Sequence, residues 1–207
     1  MRVPHLAAML RMEERGGLAI RALGVLLALL LPAGLTAGPT DVALAGTASQ
    51  SSTYSWYISL AAQNAIDGNT DGDVYDGSVT HTNFDTNAWW QVQLTQLYDI
   101  ESIVLWNRTD CCSDRLSNFM VSVYDGTTVV WSADFYTGGG YPDPSLSITL
   151  PAGTVGDEVR VSLNGTNYLS LAEVQVFSNG TAVPEPGTMA LAGLGMMGLA
   201  AAFRRRH

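Results

Sequence analysis

Residues 100–115 read IESIVLWNRTDCCSDR. The first half, Ile100 to Asn107, is dense in β-branched and aromatic residues and predicts a strand. The second half, Arg108-Thr109-Asp110-Cys111-Cys112-Ser113-Asp114-Arg115, reads as a loop carrying chemistry. Strand patterns continue on both sides of this stretch. Upstream, Trp90-Gln91-Val92-Gln93-Leu94 alternates apolar with polar. Downstream, Phe119 to Tyr124 leads through the tight-turn pair Asp125-Gly126 into Val129 to Phe135. Val159 to Leu163 and Glu173 to Phe177 close the series, and Gly138-Gly139-Gly140 reads as a loop. No long segment of helical period lies between Gly38 and Ala182, and no internal repeat is found. Many short strands with Gly, Asn and Asp turns predict an all-β fold, a single-domain β-sandwich or jelly roll.

Both ends of the chain differ from this body. Residues 1–21 carry four Arg, Ala22 to Leu31 reads ALGVLLALLL, and small residues follow at 34–38. That basic, apolar, small order predicts a signal peptide over 1–37, its apolar run forming a signal helix. Residues 183–207 read VPEPGTMALAGLGMMGLAAAFRRRH. The 16 uncharged residues Thr188 to Phe203 fall short of the ~20 of a stable span and precede Arg204-Arg205-Arg206. This predicts a short transmembrane helix meant to be cut. With Pro184-Glu185-Pro186 ahead of it, the tail resembles the PEP-CTERM sorting signal of Gram-negative bacteria. The resemblance implies export, a transient inner-membrane anchor, cleavage by an exosortase-type protease, and delivery to the cell surface or extracellular matrix.

The domain between, 38–182, holds three Arg, no Lys and sixteen Asp or Glu, a net charge of −13. Such a body lacks the clustered cations that nucleic acid or an anionic membrane surface requires. Two of the three Arg, Arg108 and Arg115, nevertheless flank Cys111-Cys112 on one loop. Arg has five N–H donors and no acceptor, so two converging Arg suit a ligand rich in oxygen acceptors, although Asp110 or Asp114 could instead partner either one. Cys111 and Cys112 are the only cysteines, and in an exported protein an oxidised pair is expected. Their bridge would close a small ring with unusual peptide geometry. It would add little stability, since no chain loop is closed, and would serve as a rigid apolar plate. His81 is the only His between 38 and 182.

These residues resemble the fucolectins, fucose-binding lectins of the F5/8 type C (discoidin) superfamily. That family shows a His followed by Arg-x-Asp-Cys-Cys-x-x-Arg, and here His81 precedes Arg108 by 27 positions. The likeness extends over residues 41–177, through Asn64-Ala65-Ile66-Asp67-Gly68-Asn69, Thr86-Asn87-Ala88-Trp89-Trp90 and Leu171-Ala172-Glu173-Val174. It implies a discoidin-like sandwich in which His81, Arg108 and Arg115 hydrogen-bond a fucose-like sugar and Cys111 and Cys112 pack on its apolar side. A 6-deoxy sugar also needs a recess for its methyl group, burial of which is worth roughly 0.8 kcal/mol. The candidates are Tyr54, Trp56, Tyr57 and Tyr75, whereas Trp89, Trp90 and Trp106 read as core.

Asp67-Gly68-Asn69-Thr70-Asp71-Gly72-Asp73 begins like an EF-hand loop, but Ser78 stands at the twelfth position and no helix flanks it. Its oxygens still suit Ca²⁺. The fucolectin resemblance implies a different ligand set: carbonyls of Asn64, Asn69 and Ala172, the Asp67 side chain, Ser78 and the Glu173 carboxylate. The family's disulfide at the positions of Val79 and Ala172 is absent, and Ser132 to Ser147 departs from the family pattern. The expectation is therefore an exported, calcium-dependent lectin without catalysis, recognising fucose or a related 6-deoxy sugar on glycans or exopolysaccharide. The alternatives are a structural matrix protein with an idle sugar site, a discoidin-type phospholipid binder, and a glycosidase.

Overall fold

The computed structural model describes residues 38–182. The expected signal helix and C-terminal span lie outside the described residues. Ten strands are present: β1 Thr40–Asp41, β2 Thr47–Gln50, β3 Asp85–Thr86, β4 Trp89–Trp106, β5 Phe119–Asp125, β6 Thr128–Phe135, β7 Ser145–Thr149, β8 Val155–Leu163, β9 Thr166–Asn167 and β10 Glu173–Ala182. Among the described residues the only helices are short 3₁₀ turns, at Ala43–Ala45, Ala62–Ile66, Val74–Asp76 and Ser113–Arg115.

The two strands expected at Trp90–Leu94 and Ile100–Asn107 are one, β4, of 18 residues. Its first part pairs with β2 and β8, and β8 continues to β5 and β6. Its last part, from Ser102 to Trp106, pairs with β10 and β7. A single strand thus serves both halves of the sandwich. Ile100 pairs with Ser178 and Ser102 with Phe177, which leaves Glu101 as the extra residue of a bulge. A one-residue slip turns every following side chain to the other face. Accordingly Trp90, Val92, Leu94, Tyr98 and Ile100 are buried before the bulge, and Ile103 and Leu105 after it.

The core lies between these two strand groups. Val121, Val123, Val159 and Val161 from one and Ile148, Val174 and Val176 from the other join Trp90 in one apolar cluster. Trp90 is fully buried and its Nε1–H donates to the Ala62 carbonyl at 2.9 Å. The other two Trp read as core are half-buried. Trp89 lies under the Arg160 guanidinium at 5.1 Å, and Trp106 donates to Gln175 at 3.0 Å. An indole bearing a polar partner or a cation sits more readily at the edge of a core than at its centre.

Three irregular segments at one end converge. Thr80 and Thr82 accept the Leu171 and Leu169 N–H groups through their hydroxyls, and their own N–H groups donate back to the same residues' carbonyls at 2.8 and 3.0 Å. This locks residues 80–82 to 169–171. Gly72 sits against the third segment: a Cβ there would lie 2.7 Å from the Asn107 carbonyl and 2.5 Å from Thr109 Oγ1, so only glycine permits the approach. Val79 and Ala172 are both fully buried beside Leu60 and Val74, an apolar junction where the family's disulfide would stand.

Candidate functional site

The loop after β4 is anchored from beneath. Asn107 is buried, and its side-chain amide donates to the Ser113 and Pro142 carbonyls, each at 2.9 Å. Ser113 Oγ donates to the Arg108 carbonyl at 2.8 Å. Cys111 and Cys112 form a disulfide. Their Cα atoms are 3.8 Å apart, the trans-peptide spacing, so the unusual geometry expected of the ring falls on Cys112, with φ of 61°.

Tyr54, Trp56, His81, Arg108, Cys111, Cys112, Arg115 and Tyr168 line one cavity of about 320 Å³. Ligand pockets run from roughly 300 Å³ upward, so this one suits a small ligand. The structure therefore brings together all five residues expected to contact the sugar. Of the four aromatics considered for a methyl recess, Tyr54 and Trp56 line the cavity. Tyr57 and Tyr75 pack edge-on against Trp56, with centroids at 5.0 and 5.6 Å, and remain 74% and 61% exposed.

Arg108 is buried and bidentate to Asp110, Nε to Oδ1 at 2.7 Å and Nη2 to Oδ2 at 2.8 Å. Two of its five N–H groups are used there, leaving three. Burial acts to raise the Asp110 carboxyl, but the Arg108 pairing and the Val74 N–H hold it below its ordinary value. His81 is buried, and its Nδ1–H donates to the Thr82 carbonyl at 2.7 Å. That tautomer leaves Nε2 as an acceptor, and Arg115 Nη1 donates to it at 3.1 Å. Burial, then Arg115 and Arg108, lower the His81 pKa, so the ring is neutral at pH 7. The Arg115 guanidinium lies 4.6 Å over the Tyr168 ring, a cation–π contact that fixes its plane. The site thus offers planar donors, one neutral acceptor and an apolar disulfide wall. Tyr168 was not anticipated. It lies between the matched stretches Thr86–Trp90 and Leu171–Val174, and a lone aromatic has no periodicity to announce a role.

Of the expected cation ligands, Glu173 and Asp67 stand beside one another. Glu173 is fully buried; its Oε1 accepts the Gly68 N–H at 3.1 Å, and its Oε2 has no partner. Burial pushes its carboxyl up to about 8, with Asp67 and Asp41 adding to the effect. An unpartnered, sealed carboxylate oxygen beside a second carboxylate fits a bound cation. Asp67 Oδ1 accepts the Asn69 N–H at 2.8 Å, Ser78 Oγ donates to the Asp71 carbonyl, and the Asn64 amide donates to the Gly77 carbonyl at 3.0 Å. The EF-hand-like side chains instead cap their own backbone: Asn69, Asp71 and Asp73 each accept the N–H two residues on. Among the described residues no three His, Cys, Asp or Glu side chains form a metal-binding group. A cation at Glu173 would therefore take most of its ligands from carbonyl and hydroxyl oxygens.

Residues 64–161 match the F5/8 type C family model described as NedA-like, galactose-binding domain, and residues 182–206 match the PEP-CTERM protein-sorting motif. The fucolectin of Anguilla anguilla is 32% identical over 71% of this chain and 95% of its own length. The chain belongs to the fucolectin family. Among solved structures, a fucose binding module of Streptococcus pneumoniae superposes with a TM-score of 0.61 at 37% identity, over 67% of this chain and 98% of that one. The lectin domain of lectinolysin, complexed with Lewis b antigen, gives 0.61 at 38% identity, over 67% and 96%. The fucolectin fold thus accounts for the discoidin-like sandwich, and the sorting motif stands at the expected tail.

Proposed function

We propose that this protein is an exported, calcium-stabilised lectin that binds fucose or a related 6-deoxy sugar on glycans or exopolysaccharide, without turning it over. The observation that carries this reading is the single cavity joining Arg108, Arg115 and neutral His81 to the Cys111–Cys112 disulfide. A sugar hydroxyl can take the place between Arg115 and His81, accepting from the guanidinium and donating to Nε2. The free N–H groups of Arg108, held in plane by Asp110, donate to neighbouring oxygens. The disulfide packs on the sugar's C–H face, and Tyr54 and Trp56 border the space for the methyl group. When bound, Ca²⁺ would be held by Glu173, Asp67 and Ser78 with the carbonyls of Asn64, Asn69 and Ala172. It would tie the 64–78 segment to β10 and so steady His81. The sorting motif supports export through a transient inner-membrane anchor, with exosortase-type processing.

A glycan array in Ca²⁺ tests the reading. Signal is expected on fucosylated glycans and should be competed by free L-fucose; a blank array, or binding that ignores fucose, would overturn it.

Protonation of His81 should abolish its acceptor and set a cation against Arg115. Only the neutral ring binds, and its pKa lies below the ordinary 6.5. Affinity is therefore expected to be flat from about pH 8 to neutrality and to fall in acid as pH drops through that lowered value. Calorimetric titration with L-fucose across this range checks it; a midpoint above neutrality would contradict the assignment.

The disulfide makes a separate prediction. Cys111→Ala with Cys112→Ala should weaken fucose binding about tenfold, by removing a buried apolar contact. The melting temperature should move by only about a degree or two, because bridging adjacent residues closes no loop. A large melting shift with unchanged affinity would reverse that assignment of roles.

A further inference from the structure

We propose that Phe84 and Tyr168 form a second subsite, which takes the apolar face of the pyranose linked to the sugar in the cavity. This inference rests on the reading of the cavity as a deoxy-sugar site. Phe84 is 58% exposed, a large apolar ring that contributes nothing to the core. It is not an isolated surface hydrophobe. Its centroid lies 5.2 Å from that of Tyr168, which in turn lies 5.2 Å from His81 and carries Arg115 on its face. A continuous ring surface therefore leads from the cavity wall outward to solvent.

The backbone on both sides of Phe84 is pinned. Asn83 N–H donates to Ser52 Oγ at 2.8 Å, and Asp85 accepts the Ser51 and Ser52 hydroxyls at 2.8 and 2.5 Å. Asp85 and Thr86 pair with Asn167 and Thr166 in the β3–β9 ladder, immediately before Tyr168. The Tyr168 N–H donates to Asn167 Oδ1 at 2.9 Å. The two rings thus ride on one short ladder. An exposed aromatic held in register at the rim of a binding cavity is preorganised, so contact with a ligand costs little additional ordering. Its π face suits the C–H groups on one side of a pyranose, whereas no charged side chain of this ladder other than Asp85, already engaged by two serines, stands beside it. The chemistry favoured is a neutral or fucosylated oligosaccharide presenting an apolar ring face.

The test compares wild type, Phe84→Ala and Phe84→Trp in Ca²⁺, using methyl α-L-fucoside and an array of fucosylated oligosaccharides. Wild type should bind some oligosaccharides more tightly than the monosaccharide. Phe84→Ala should leave the fucoside affinity within about twofold and cut that oligosaccharide advantage by roughly three- to tenfold, with Phe84→Trp restoring it. No oligosaccharide advantage in wild type, or an advantage untouched by Phe84→Ala, would overturn the subsite. Equal loss for monosaccharide and oligosaccharide would also overturn it, by making Phe84 a support of the cavity itself. Failure of wild type to bind the fucoside would instead sink the deoxy-sugar reading.

Discussion

Arg115→Ala should lower affinity for L-fucose by about 10- to 150-fold while leaving the melting temperature close to that of the wild type. A hydrogen bond to a charged group is worth roughly 1.5–3 kcal/mol, which converts to that range. Arg115 is half-buried; its described contacts are with His81 and Tyr168 in the cavity and with the Cys112 carbonyl through its backbone. Removing its side chain therefore takes away ligand contacts and few fold contacts. Arg108→Ala should cost at least as much affinity but also some stability, since Asp110 would lose its ion pair next to Val74. The two variants together should show no measurable binding. Arg115→Lys should fall between, because an ammonium keeps the charge but loses the flat contact with Tyr168. Calorimetric titration beside thermal denaturation separates the effects; wild-type affinity in Arg115→Ala would refute the site.

The force of this prediction comes from composition. In a body of net charge −13, three Arg are the only permanent cations between 38 and 182. The third, Arg160, is accounted for by the fold: it pairs with Glu158 at 3.4 Å and lies over Trp89 and Tyr124. The other two meet at a cavity. Sequence alone left Asp110 and Asp114 as competing explanations for these Arg. The structure shows that Arg108 does pair with Asp110, and that the pairing consumes one edge of the guanidinium only. An ion pair and a ligand contact are compatible because the guanidinium has more donors than one carboxylate can use.

Alternation made the strands at 90–94 and 159–163 legible, since each has one wet face and one packed face. It hid the identity of β4 as one strand. The two predicted strands break at 95–99, where the pairing of β4 with β8 shifts register between Gln93 and Tyr98, and the bulge at Glu101 then reverses the parity of burial inside the second. The short β1, β3 and β9, of two residues each, have no pattern to detect. At the site, spacing carried His81 and the Arg-Cys-Cys-Arg loop, because the family motif is contiguous on one side. Tyr168 and Phe84 were not legible: their roles depend on the β3–β9 pairing, which brings residues 84 and 168 together across 84 positions.

The second large effect concerns Glu173. Adding chelator to the Ca²⁺-loaded protein should lower the melting temperature by roughly 10 °C and abolish fucose binding in the same step. Ligand at a hundred times its Kd stabilises by about 2.7 kcal/mol, and a domain of this size shifts by several degrees per kcal/mol. Loss of binding should accompany it, since residues 80–82, which carry His81, are hydrogen-bonded to 169–171, directly before Ala172 and Glu173. Glu173→Gln gives a sharper version. Gln keeps an oxygen for the Gly68 N–H but removes a charge that is sealed at 0% exposure beside Asp67. With Ca²⁺ present the variant should melt below wild type, having lost the carboxylate proposed to hold the cation. In chelator at neutral pH the order should reverse, because the buried Glu173 carboxyl, pushed up to about 8, must then take up a proton on folding, a cost that Gln does not carry. This crossing is not expected of a carboxylate with a purely structural role, for which Glu173→Gln would shift melting in one direction whatever the calcium. Indifference of both proteins to chelator would remove calcium from the account while leaving the sugar cavity to be judged by Arg115.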